Sequence, residues 1–134
     1  MDNPVKNFWD IKLAALKEVL EKNNFEVFIS SSPEEAKELA LNEIIPALNP
    51  KSVSWGGSMS FVGTGLFHAL METKDLDIIN TFDRKISVEE MLERRRQSLM
   101  VDLFITGSNT VTEDGQLVIH DIIGNRVEAI MWGS

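Results

Sequence analysis

The sequence predicts a three-layer α/β fold, a parallel sheet with helices on both faces, plus a small β-hairpin near the C-terminal end. Helical segments with recognisable caps alternate with short, continuously apolar runs, the pattern of strands covered on both sides. Glu113-Asp114-Gly115 separates two short β-type segments and carries the Asp-Gly signal of a hairpin turn.

Asn3-Pro4 supplies an N-cap and a proline at the first helical position, where a missing N–H costs nothing. Phe8, Ile11, Leu13, Ala15, Leu16, Val19 and Leu20 then recur at helical spacing, and Asn23-Asn24 suits a left-handed exit. Residues 25–30 (FEVFIS) are β-branched and aromatic and read as a first strand. Ser32-Pro33-Glu34-Glu35 is a capping box opening a second helix, with Ala36, Leu39, Ala40, Ile44 and Ala47 on its buried face. Residues 52–55 form a second strand, running into Gly56-Gly57-Ser58 and a glycine-interrupted helical stretch to about Met71.

Residues 77–80 (DIIN) are a third strand, and Ser87-Val88-Glu89-Glu90 is another capping box, opening a helix that ends near Leu99. Residues 102–106 (DLFIT) are a fourth strand, followed by Gly107-Ser108-Asn109. The hairpin pairs 110–112 with 116–120, and residues 124–130 make a last short helix.

A chain of 134 residues, 43% hydrophobic and 25% charged, fits a single domain spanning 1–134 and excludes disorder as its main state. Lys and Arg number 13 against 21 Asp and Glu, a formal charge of -8 that repels phosphate backbones and anionic lipid surfaces. Nucleic acid and membrane are therefore not expected partners. The longest uncharged stretch, residues 52–71, is broken by Gly56, Gly57, Gly63 and Gly65 and is too polar to insert in a bilayer. The first residues lack an export signal, so a cytoplasmic location is expected. With no cysteine, disulfides, thiolate–zinc sites, a thiol nucleophile and iron–sulfur clusters are impossible.

In a parallel sheet, ligands collect where strand carboxyl ends feed helix starts. Gly56-Gly57-Ser58 sits at such a junction: the glycines admit close backbone approach, free N–H groups favour an anion, and Ser58 offers a hydroxyl or a cap. A tight turn that merely needs glycine is the other reading of the same residues. Thr106, Gly107, Ser108 and Asn109 leave another strand end. Arg126 begins a helix, where a cation is electrostatically out of place. It either faces a ligand anion or pairs with Asp121 or Glu113.

Four blocks, SWGGSMS at 54–60, RRRQSL at 94–99, DLFITGSNTVTEDGQLV at 102–118 and GNRVEAI at 124–130, resemble the LUD (lactate-utilization) domain family. The resemblance implies a Rossmann-like fold similar to sugar-phosphate isomerases, glucosamine-phosphate deaminases, CoA transferases and methylthioribose-phosphate isomerases. It implies one site with Gly56, Gly57, Ser58, Gly107, Ser108 and Asn109 as floor and wall, closed by Asn125 and Arg126, and Thr106 at the same strand end is a further ligand-binding candidate. Asn109 stands where the isomerase relatives often carry Asp, and an amide cannot act as a general base. Members of the family usually continue past the equivalent of residues 131–134 into further sheet, so the domain is expected to be C-terminally short. Larger relatives carry ferredoxin-like cysteine motifs; this chain has none.

His68 and His120 lack an i, i+4 partner, so partly buried histidines rather than metal ligands are expected. Arg94, Arg95 and Arg96 share a helix with Glu89, Glu90 and Glu93 and read as a solvated, paired face. Trp55 is a candidate wall for the ligand crevice, and Trp9 and Trp132 are packing or interface groups. The expected function is a component of a lactate-oxidizing (2-hydroxy acid) system that binds a small anionic metabolite, with homo-oligomerisation compatible with it. A CoA transferase-like or phosphosugar isomerase-like enzyme, with Glu113 as base or nucleophile, is the alternative. A noncatalytic interaction or regulatory module is the second.

Overall fold

Local signals start the helices where the sequence places them. A computed structural model describes residues 3–132 of the chain; Gly133 and Ser134, part of the expected short C-terminus, lie outside them. Asn3 caps α1 (Pro4–Lys22) by accepting from the Val5 and Lys6 amides, and Asn24 takes the left-handed exit at φ 66°. Ser32 accepts from the Glu35 amide to open α2 (Pro33–Leu39). The same axis continues through a π-turn, Ala40–Ile44, into α3 (Ile45–Leu48). Pro46 accounts for the widened turn, because its ring displaces the carbonyl four residues back and it offers no N–H.

Residues 3–31, together with Ser108–Ile119, form one compact unit. In it, β4 (Thr110–Val111) pairs antiparallel with β5 (Leu117–Val118). Gly115, at φ 81°, takes the left-handed position in the turn between them. The Asn23 side-chain amide donates to the carbonyls of Asp114 and Gly115 at 3.4 and 3.3 Å, tying the end of α1 to the hairpin. Residues 25–30 form no strand. A strand exists only through ladder partners, and β propensity alone supplies none. Phe25, Phe28 and Ile29 remain more than two-fifths exposed.

Ser32–Gly107, with residues 120–132, form the second unit. Its sheet has three parallel strands in the order β2 (Asp77–Ile79), β1 (Ser52–Trp55), β3 (Leu103–Ile105). Helices α2, α3, α4 (Met59–Gly63), α5 (Leu66–Glu72), α6 (Val88–Gln97) and α7 (Asn125–Met131) belong to the same unit. The α/β architecture is as predicted, with three sheet strands instead of four. Gly65, at φ 80°, makes the break between α4 and α5. Ser87 caps α6 through the Glu90 amide, and Arg94 pairs with Glu90 at 3.0 Å one turn on.

β1 is the axis of the core. Val53 and Trp55 are wholly buried and form one cluster with the buried Phe61, Leu66 and Leu70, while Ser54 points its hydroxyl to the Ile79 carbonyl at 2.7 Å. Asp102 pins the entry of β1 to that of β3: its carboxylate accepts from the Lys51 and Ser52 amides and the Ser52 hydroxyl. Those donors hold the Asp102 carboxyl below its ordinary value. No described helix is long and apolar enough to cross a membrane.

Candidate functional site

The site is built on the carboxyl ends of β1 and β3. The Gly56 amide donates to the Ile105 carbonyl at 3.0 Å, carrying the ladder one residue past the strands and setting the two following loops side by side. Ser58 then turns the chain into α4 by accepting from the Phe61 amide at 3.1 Å. Below the loop, Trp55 is closed in by Phe61, Phe67 and Phe82, with ring centroids 5.3–6.0 Å away. Trp55 therefore belongs to the core and does not wall a crevice. Thr81, buried beside it, donates to the Trp55 carbonyl at 2.7 Å and fixes the last peptide of the strand.

Arg126 crosses the two loops. Its Nη1 donates to the Gly57 carbonyl at 3.3 Å and the Gly107 carbonyl at 3.2 Å, and its Nη2 donates to the His120 carbonyl. A planar guanidinium with five fixed donors suits this bracing of several carbonyls at once. Asp121 resolves the awkward placement of a cation at the start of α7. Its carboxylate accepts from the Arg126 and Val127 amides at 2.8 and 3.1 Å, while its other oxygen lies 3.8 Å from the Arg126 Nε. Burial pushes the Asp121 carboxyl upward, but amide donors from Val127, Gly124, Arg126 and Ile123 outweigh it and hold it below its ordinary value. The pairing with Asp121 foreseen in the sequence is present, with three backbone carbonyls added.

The two glycines of the loop have different roles. A Cβ on Gly56 would overlap the Arg126 Cγ and crowd the Thr106 Oγ1 at 3.1 Å, so glycine is sterically required. A Cβ on Gly57 would meet nothing within 4 Å. Gly107 resembles Gly56, since its Cβ would fall 2.7 Å from the Ser58 hydroxyl. The Gly57 carbonyl turns toward Arg126. In a planar trans peptide, that sends the Ser58 N–H the opposite way. The N–H groups of Gly57 and Ser58 meet no acceptor among the described residues. The Thr106 hydroxyl is buried without a hydrogen-bond partner, and Asn125, on the first turn of α7, is 9% exposed.

Gly56, Gly57, Ser58, Thr106, Gly107, Asn125 and Arg126 thus fall in one unit. Asn109 and Glu113 fall in the other. There the Asn109 amide donates to the Val118 carbonyl at 3.1 Å beside the hairpin. Glu113 forms an ion pair with Lys12 at 2.7 Å, its side chain 83% exposed, and Lys12 draws its carboxyl below the ordinary value. The His68 ring packs on Phe67 at 5.1 Å, and the described residues contain no cluster of metal-ligating side chains.

The family model described as LUD domain matches residues 13–134. The chain belongs to the LUD domain family. No curated protein and no solved structure is matched by the chain. In this LUD domain, all four blocks that carried the resemblance lie inside the matched span. Sequence reasoning missed Thr81 and the His120 carbonyl. Thr81 follows a strand as an ordinary polar residue, and nothing in its neighbours marks it as the lock on β1. A backbone carbonyl carries no side-chain signal at all, so the part played by position 120 becomes visible only when Arg126 reaches it.

Proposed function

We propose that this LUD domain serves lactate, or more broadly 2-hydroxy acid, utilization. It binds a small anionic metabolite at the carboxyl ends of the strands and acts in the cytoplasm as one component of a lactate-oxidizing system. The family match over residues 13–134 carries this reading. The loop chemistry supports it. Adjacent N–H groups of Gly57 and Ser58 are uncommitted donors suited to a carboxylate, and Ser58, Thr106 and Asn125 offer hydroxyl and amide groups from the same unit. Arg126 lends positive charge from beneath, through the peptides of Gly57 and Gly107 that it holds.

Gly57 gives a clean test because a methyl there meets no protein atom. Thermal unfolding is followed with L-lactate, pyruvate, a sugar phosphate and a CoA ester, for the wild type and for Gly57→Ala. The expected result is a rise in Tm with lactate or pyruvate, corresponding to about 2.7 kcal/mol at a hundredfold excess over Kd. Gly57→Ala is expected to melt like the wild type without ligand and to lose most of that rise. A wild-type Tm indifferent to all four compounds would overturn the proposal.

A further inference from the structure

Helix α1 has 19 residues and none of them is buried. Phe8 and Trp9 are 56% and 53% exposed, and Val5, Ile11 and Leu13 are exposed as well. A helix with this much uncovered apolar surface is built to be covered. Trp9, Leu13, Leu16 and Leu20 follow one another at spacings of four, three and four, the seam of a short coiled coil. The seam borders an open groove of about 850 Å³ running between α1 and the hairpin residues Val111 and Glu113.

The charges beside the seam identify the cover. Lys6 pairs with Asp10 at 3.3 Å and Lys17 with Glu21 at 3.5 Å, so the helix carries the sequence plus, minus, plus, minus along one flank. Turned end for end, that series sets opposite charges together beside the seam: position 10 meets position 17. Asp10 and Lys17 are seven residues apart and flank the seam at equivalent positions, which face each other in an antiparallel pair. A parallel pair would instead set Lys12 against Lys17 and repel. We propose that a second copy of this chain covers α1, in an antiparallel helix pair with a two-fold axis. Trp9 of one copy lies opposite Leu20 of the other, Leu13 opposite Leu16, and Asp10 opposite Lys17. Each contact occurs twice, as an isologous interface requires.

The test is sedimentation equilibrium of the full chain from about 1 µM to about 100 µM, with helix content followed by circular dichroism. The wild type is expected to pass from monomer to dimer over this range. Leu13→Glu removes the dimer. Asp10→Lys and Lys17→Asp each weaken it about tenfold, because two symmetry-related pairs turn repulsive, and the combined swap restores it. A chain that stays monomeric throughout overturns the proposal. So does a dimer indifferent to Leu13→Glu, or a combined swap that fails to restore association while helix content is unchanged.

Discussion

Residues 25–30 and β1 are two short runs with similar strand propensity and opposite fates. FEVFIS is richer in aromatic and β-branched residues than SVSW, yet it forms no strand, and its Phe28 is 43% exposed. SVSW, half serine, becomes the central strand, with Val53, Ser54 and Trp55 wholly buried. What separates them is company. β1 has a parallel neighbour on each side, Asp102 holding its entry and Arg126 bracing the loop at its exit. Strand propensity describes a fit to a pleated, half-covered surface, and the surface must be supplied by the rest of the fold.

The comparison breaks most sharply at Trp55. Truncation to alanine removes the ring on which Phe61, Phe67 and Phe82 converge, with an expected loss of about 3–5 kcal/mol in denaturant unfolding.

The support at the exit of β1 comes next. Asp121→Asn removes the carboxylate that holds the start of α7, and hence the base of Arg126, with an expected cost of about 1–2 kcal/mol at neutral pH. The sign with pH follows from the lowered carboxyl. Its stabilisation is present above the unfolded value, near 3.8, and is lost as pH falls through the lower folded value. Acid unfolding curves should therefore converge: the variant is less stable than the wild type at pH 7, and the difference shrinks below pH about 4. A difference constant down to pH about 2 would remove Asp121 as the anchor.

The smallest effect belongs to the other run. Phe28→Ser is expected to cost about 1 kcal/mol or less, and the amides of residues 26–30 to exchange with solvent far faster than those of 53–55. Slow exchange at 26–30 would show a ladder partner for that run.

Helix starts were legible because their causes are local. Ser32 and Ser87 each reach an amide three residues ahead, and Asn3 reaches those of Val5 and Lys6, so a window of five residues contains the whole interaction. The glycine pair was legible as a turn but not as two different residues. Whether a Cβ fits at 56 or 57 depends on Arg126, some 70 positions away in the chain. For the same reason Trp55 read as a crevice wall from the sequence, and only the rings of Phe61, Phe67 and Phe82 around it make it a core residue.

By itself, the sequence determined the alternation of helices and apolar runs, the caps, the hairpin turn and the absence of thiol chemistry. These follow from short-range hydrogen bonding, backbone sterics and residue inventory. The tertiary structure alone decided which apolar run becomes a strand, which glycine is indispensable and what Arg126 holds. Burial, ladder pairing and the convergence of carbonyls on one guanidinium are long-range events, and no short stretch of residues contains both of their ends.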